Sequence, residues 1–96
     1  MIVALDLRLE RKVGRAVVAR TRDLGCGGAR VTSNRPLRVD EELSFDLALP
    51  RSGRHVTGTA RVLRQHLHDV YALRFEQVAP GLRDELEAYV AAAFVA

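Results

Sequence analysis

Three glycines in four positions, Gly25, Gly27 and Gly28, follow a carboxylate at Asp23 and lie between guanidiniums at Arg20, Arg22 and Arg30. Such a segment can bring backbone close to an anion while arginine forks grip phosphate or carboxylate. Each member also has a plainer reading. Asp23 is either a ligand acceptor or an Asx-turn residue bonding its own backbone. Arg20 and Arg22 either touch phosphate or solvate a strand face. The glycines serve a turn rather than a P-loop, because no Lys-Ser/Thr pair follows. Cys26, beside them, would need a histidine base to act as a nucleophile, and His55, His66 and His68 are not tied to it by any motif. His66-x-His68 puts two imidazoles on one face of an extended segment, but only Asp69 is near as a third metal ligand, and a polar turn accounts for the pair. No acid, base and nucleophile set converges. The expectation is a non-enzymatic protein with no metal and no cofactor.

Composition bounds the rest. Ninety-six residues give one domain, residues 1–96, and 48% hydrophobic against 28% charged residues suits a globule. A single cysteine rules out an internal disulfide and a cysteine-built zinc site. No apolar run reaches the roughly twenty residues of a membrane span. Met1–Asp6 meets a charge too early for a secretory signal, so the expected setting is the cytoplasm. The net charge is +3, and all basic residues but Lys12 are arginine. That excess suits an anionic ligand, and equally a GC-rich coding sequence.

The elements that must position these groups read mostly as strands. Val3, Leu5, Leu7 and Leu9 alternate with Ala4, Asp6, Arg8 and Glu10, the period of a half-buried strand. Lys12-Val13-Gly14 turns the chain into a second strand near Arg15–Arg22, with Val17, Ala19 and Thr21 on one face, so the two pair as a hairpin. Ala29–Thr32 is a short strand. Leu43–Leu49 carries Leu43, Phe45, Leu47 and Leu49 on one face, and Pro50–Arg54 is a second hairpin loop. His55–Arg64 alternates through Val56, Gly58, Ala60 and Val62; Gln65–Asp69 is a turn; Val70–Phe75 aligns Tyr71, Leu73 and Phe75. The period then changes to three and four. Pro80 opens a helix whose stripe is Leu82, Leu86, Tyr89 or Val90, Ala93 and Phe94. Six strands and one helix predict a closed antiparallel barrel whose mouth or side the helix covers. The flat Ala91-Ala92-Ala93 tail is a surface on which a second subunit could pack.

The order of these features resembles a PilZ domain, the bacterial receptor module for cyclic di-GMP. Arg20 to Val31 resembles the family's (Asp/Asn)-x-Ser-x-x-Gly segment and the strand after it. Leu37 to Leu43 resembles the lead into its fourth strand, and Arg61-Val62-Leu63-Arg64 with Tyr71-Ala72-Leu73-Arg74-Phe75 resembles its closing hairpin. The resemblance implies a six-stranded antiparallel PilZ-like β-barrel capped by a C-terminal α-helix. It implies that Asp23 hydrogen-bonds guanine and that the backbone turns beneath the ligand at Gly28. Gly25 stands where the family has serine, so a hydroxyl is missing. The Arg-x-x-x-Arg pair that the family carries ahead of its first strand has no counterpart before Ile2. Arg11 and Arg15 share the spacing but flank the first hairpin turn.

The function expected is a regulatory module of cyclic di-GMP signalling with weakened or lost nucleotide binding. Its candidate ligand-binding residues are Arg20, Arg22, Asp23, Gly25, Gly28 and Arg30. The alternative is an adaptor that needs no nucleotide and acts on a protein partner through its barrel face or helix. A third reading, a barrel for single-stranded nucleic acid, is disfavoured because Phe45, Tyr71 and Phe75 fall on inner faces and leave little to stack bases on. The remaining arginines scatter over outer faces and turns.

Overall fold

A computed structural model describes residues 1–50 and 52–92. Six strands run β1 (Asp6–Arg11), β2 (Val17–Leu24), β3 (Gly28–Ser33), β4 (Glu42–Ala48), β5 (His55–Leu67) and β6 (Val70–Val78), followed by helix α1 (Leu82–Ala92). Every pairing is antiparallel, and the order β1-β2-β3-β6-β5-β4 closes on itself. The expected barrel with one helix is therefore the observed fold. Closure leaves no open sheet edge.

Period-two alternation places the core as the sequence predicts. Leu5, Leu7 and Leu9 point inward from the first segment, Val17, Ala19 and Thr21 from β2, and Leu43, Phe45 and Leu47 from β4. Val56, Ala60 and Val62 meet them from β5, and Tyr71, Leu73 and Phe75 from β6. The Phe45 and Phe75 rings stack at 4.6 Å between centroids. The Tyr71 hydroxyl accepts a hydrogen bond from the Leu37 N–H (3.1 Å), so the β3–β4 loop is tied to the core by a satisfied buried polar group.

Several boundaries depart from the pattern. The ladder of β1 starts at Asp6, not near Ile2, because residues 1–5 leave β4 and follow the end of β2 alone. Thr21 makes that join: its buried Oγ1 accepts from the Leu5 N–H (2.8 Å) and donates to the Val3 carbonyl (2.5 Å). Gln65–Leu67 belong to β5 rather than to a turn; the turn is His68-Asp69 alone. Three register shifts along β5–β6, at Thr59/Ala60, Val62/Arg64 and Gln65/Leu67, break the alternation that would have marked those residues as strand. Pro80 lies before the helix, not in its first turn. The Leu82 N–H bonds the Ala79 carbonyl (3.0 Å), and Gly81 at φ 82° turns the chain into α1.

Helix α1 lies at the end of the barrel where β2 and β4 finish and β3 and β5 begin. Leu86 is fully buried against the core, with Leu82, Tyr89 and Val90 half-buried beside it. An Arg54–Glu85 ion pair (3.2 Å) ties the helix to the start of β5. The Ala93 and Phe94 positions of the expected stripe, and the end of the alanine tail, lie outside the described residues.

Candidate functional site

A β-bulge sets the geometry of the candidate site. Thr21 pairs with Val31, but the next pair is Asp23 with Arg30, so Arg22 has no partner across the ladder. Without that extra residue Asp23 would continue the inward phase of Val17, Ala19 and Thr21. With it, Leu24 takes the inward position opposite Ala29, and Asp23 turns outward beside Arg30.

The glycine loop that follows is held by backbone bonds. The Gly25 N–H donates to the Gly28 carbonyl (2.9 Å), and the Phe75 N–H donates to the Gly27 carbonyl (2.8 Å). None of the three glycines takes a positive φ. Gly28 is needed for a different reason. A Cβ there would lie 2.2 Å from the Leu73 carbonyl oxygen, so β3 and β6 approach too closely for any side chain. The turn beneath a ligand expected at Gly28 is thus the first residue of β3, pressed against β6.

Asp23, Gly25, Gly28 and Arg30 line one solvent-open depression of about 310 Å³ on the outer face of β2, β3 and β6. Two side chains join them that no local motif groups there: Arg64 and His66 from β5. Arg20 and Arg22 are exposed but do not line it. Arg20 turns toward β1, with Nε 3.7 Å from Asp6 Oδ1. The Asp23 Oδ1 accepts from the Met1 ammonium (3.0 Å). That bond, assisted by the fields of the ammonium and of Arg30, holds the Asp23 carboxyl below its ordinary range. Partial desolvation, then the charges of Arg30 and Arg64, push the His66 imidazole below its ordinary value.

The opposite end of the barrel uses its arginines differently. Arg11 Nε and Nη2 hold Glu41 Oε2 and Oε1 at 2.6 and 2.8 Å, a bidentate pair, and Nη1 donates to the Pro36 carbonyl (3.2 Å). Burial works against the Glu41 charge, yet the Arg11 fork and the Arg38 N–H outweigh it and keep the carboxyl below its usual range. Arg61 donates to Glu76, to Glu42 and to the carbonyl of Asp40, whose φ of 70° is a left-handed turn that aspartate tolerates. The hydrogen bond to Glu76 raises the Arg61 pKa further above the physiological range. Arg11 and Arg61 are therefore half-buried ion-pair residues, not part of a scattered outer surface.

The other chemistries considered from the sequence are not assembled. Cys26 is half-buried in the loop, and His55 is engaged with Asp46 (2.6 Å) on the far side of the barrel. His66 faces the depression while His68 sits in the turn, its carbonyl accepting from Gln65. Among the described residues no three His, Cys, Asp or Glu side chains come together as metal ligands, and no helix is long and apolar enough to cross a membrane.

Known proteins share the fold and the family of this chain. A solved structure of the Bacillus subtilis inhibitor of motility (MotI/DgrA) superposes with a TM-score of 0.82 at 17% identity. The match takes in 99% of this chain and 48% of that one, so the chain spans about half the length of that protein. No curated protein matches the sequence. The PilZ domain profile matches residues 2–92, which includes all six strands, the glycine loop and the helix. The chain belongs to the PilZ domain family, a family of cyclic di-GMP signalling.

Proposed function

We propose that this chain is a non-enzymatic regulatory module that takes cyclic di-GMP on the outer face of β2, β3 and β6, with an affinity weakened relative to a full motif. The observation that carries the reading is the convergence of Asp23, Gly25, Gly28 and Arg30 in one depression. A guanine edge suits a carboxylate held ionised at Asp23, and a phosphate suits the Arg30 fork. The weakening follows from Gly25, which brings no hydroxyl to the motif's serine position. Arg11, which shares an Arg-x-x-x-Arg spacing with Arg15, is bound to Glu41 at the other end of the barrel and takes no part. The same reading places the module in the bacterial cytoplasm.

A second reading, an adaptor acting on a protein partner without nucleotide, has one observation in its favour. A groove of about 470 Å³ between α1 and the barrel end is lined by Met1, Leu49, Pro50, Ala88 and Tyr89 among others. Isothermal titration with cyclic di-GMP separates the two. The receptor reading expects saturable heat with a micromolar dissociation constant that disappears in Asp23→Ala. No heat at millimolar nucleotide would overturn it and leave the adaptor.

A further inference from the structure

The depression holds a charge arrangement that no part of the glycine motif accounts for. Strand β6 lies between β3 and β5, and Ala72 on β6 is the cross-strand partner of Arg30 on one side and of Arg64 on the other. Two guanidiniums thus rise from strands about 10 Å apart with only a methyl group on the floor between them. His66, two residues beyond Arg64 on β5, lines the same depression, and both arginines act on its titration. The carboxylate nearest in register, Asp23, gives its Oδ1 to the Met1 ammonium. Among the described residues neither Arg30 nor Arg64 has a salt-bridge partner, whereas Arg11, Arg54, Arg61 and Arg74 each have a carboxylate. Adjacent like charges on a sheet repel, and an anion seated between them removes that repulsion.

We propose that Arg30, Arg64 and His66 form an anion clamp over Ala72 that holds a phosphate group of the ligand. The proposal rests on the reading of this face as the ligand site and adds residues from β5 to it. The two forks reach the phosphate oxygens from opposite sides, and an Nε–H or Nδ1–H of the imidazolium supplies a further donor when His66 is protonated. The groups facing His66 are Arg30 from β3 and Arg64 from β5, with the Met1 ammonium and Asp23 farther along the depression. Strand β6 lines the depression with Ala72 and Leu73, and its Arg74, two residues on along the same outer face, is paired with Glu76. His68 and Asp69 follow in the turn. A bound phosphate favours the imidazolium, so binding tightens as pH falls through the His66 midpoint.

Inorganic pyrophosphate is the probe, and the imidazole proton resonances of the three histidines are the readout, recorded against pH on the whole chain. Pyrophosphate should raise the His66 midpoint by roughly half a unit or more while His55 and His68 stay put. The rise should vanish in Arg64→Gln and Arg30→Gln, exposed substitutions whose fold is checked by the unchanged His55 signal. A His66 midpoint that does not move, or that moves equally in Arg64→Gln, overturns the clamp. Cyclic di-GMP is then titrated into the same proteins, and Arg64→Gln should weaken it roughly tenfold or more. Pyrophosphate response without cyclic di-GMP binding would keep the clamp and remove the nucleotide reading. Cyclic di-GMP bound equally by wild type and Arg64→Gln would keep the nucleotide reading and remove the clamp.

Discussion

Gly27 and Gly28 are neighbours, yet a methyl group meets different surroundings at each. At Gly27 nothing lies within 4 Å of an added Cβ, while at Gly28 the Cβ would press on the backbone of Leu73. Gly28→Ala should therefore force β3 from β6 and cost about 1–3 kcal/mol. In a domain of this size each kcal/mol lowers the thermal midpoint by roughly 4–8 °C. Gly27→Ala should stay within about 0.5 kcal/mol. Thermal melts followed by circular dichroism read both, and an unshifted Gly28→Ala melt would mean that this glycine is kept for the ligand and not for the strand contact. Asp23 and Gly28 were legible in the sequence because they belong to a motif with fixed local spacing. Arg64 and His66 were not. Their place beside Arg30 depends on which β5 residue faces Ala72, and two register shifts within six residues of β5 decide that. Arg11 and Arg61 were misread for a related cause: their partners lie 30 and 15 to 19 residues away, beyond any local pattern.

At the scale of elements, alternation carried the strands wherever the ladder is regular and failed where it is bulged. Residues 55–62 of β5 keep an inward phase that the apolar positions announce. Beyond Val62 the strand continues with all its side chains exposed except for its backbone pairing, so Gln65–Leu67 look like a turn. The bulge at Arg22 has the same character. It is invisible in composition, yet it swings Asp23 from the core phase to the surface and so into the depression beside Arg30. Helix α1 was legible from its period, with its start misplaced by two residues because Pro80-Gly81 form a turn ahead of it. What the helix does for the barrel rests on one side chain. Leu86 is fully buried, and Leu86→Ala should cost about 2–5 kcal/mol by leaving a cavity under α1. Urea unfolding measures that loss, and a change below about 0.5 kcal/mol would show that the helix rests on the barrel without sealing it.

For the whole molecule, the arginine excess divides by place. One end of the barrel uses its guanidiniums inwardly, with Arg11 on Glu41 and Arg61 on Glu42 and Glu76. The face between β2, β3, β6 and β5 leaves Arg30 and Arg64 unpaired among the described residues, beside an ionised Asp23. A net charge of +3 alone says little about a ligand; two guanidiniums without a carboxylate that flank Ala72 in one depression say more. The barrel supplies the rigidity that such a face requires, since every strand is bonded on both sides. Family membership explains why this barrel carries a glycine motif on β2–β3, and the packing explains which motif positions serve the fold. The proposed ligand should sit on this face and not at the helix groove or the Arg11 end. Amide chemical-shift mapping during a cyclic di-GMP titration tests it most directly. The largest shifts should fall on Asp23, Gly25, Gly28, Arg30 and Ala72, with Leu49, Tyr89, Arg11 and Glu41 unmoved; shifts centred on Leu49 and Tyr89, or on Arg11 and Glu41, would contradict it.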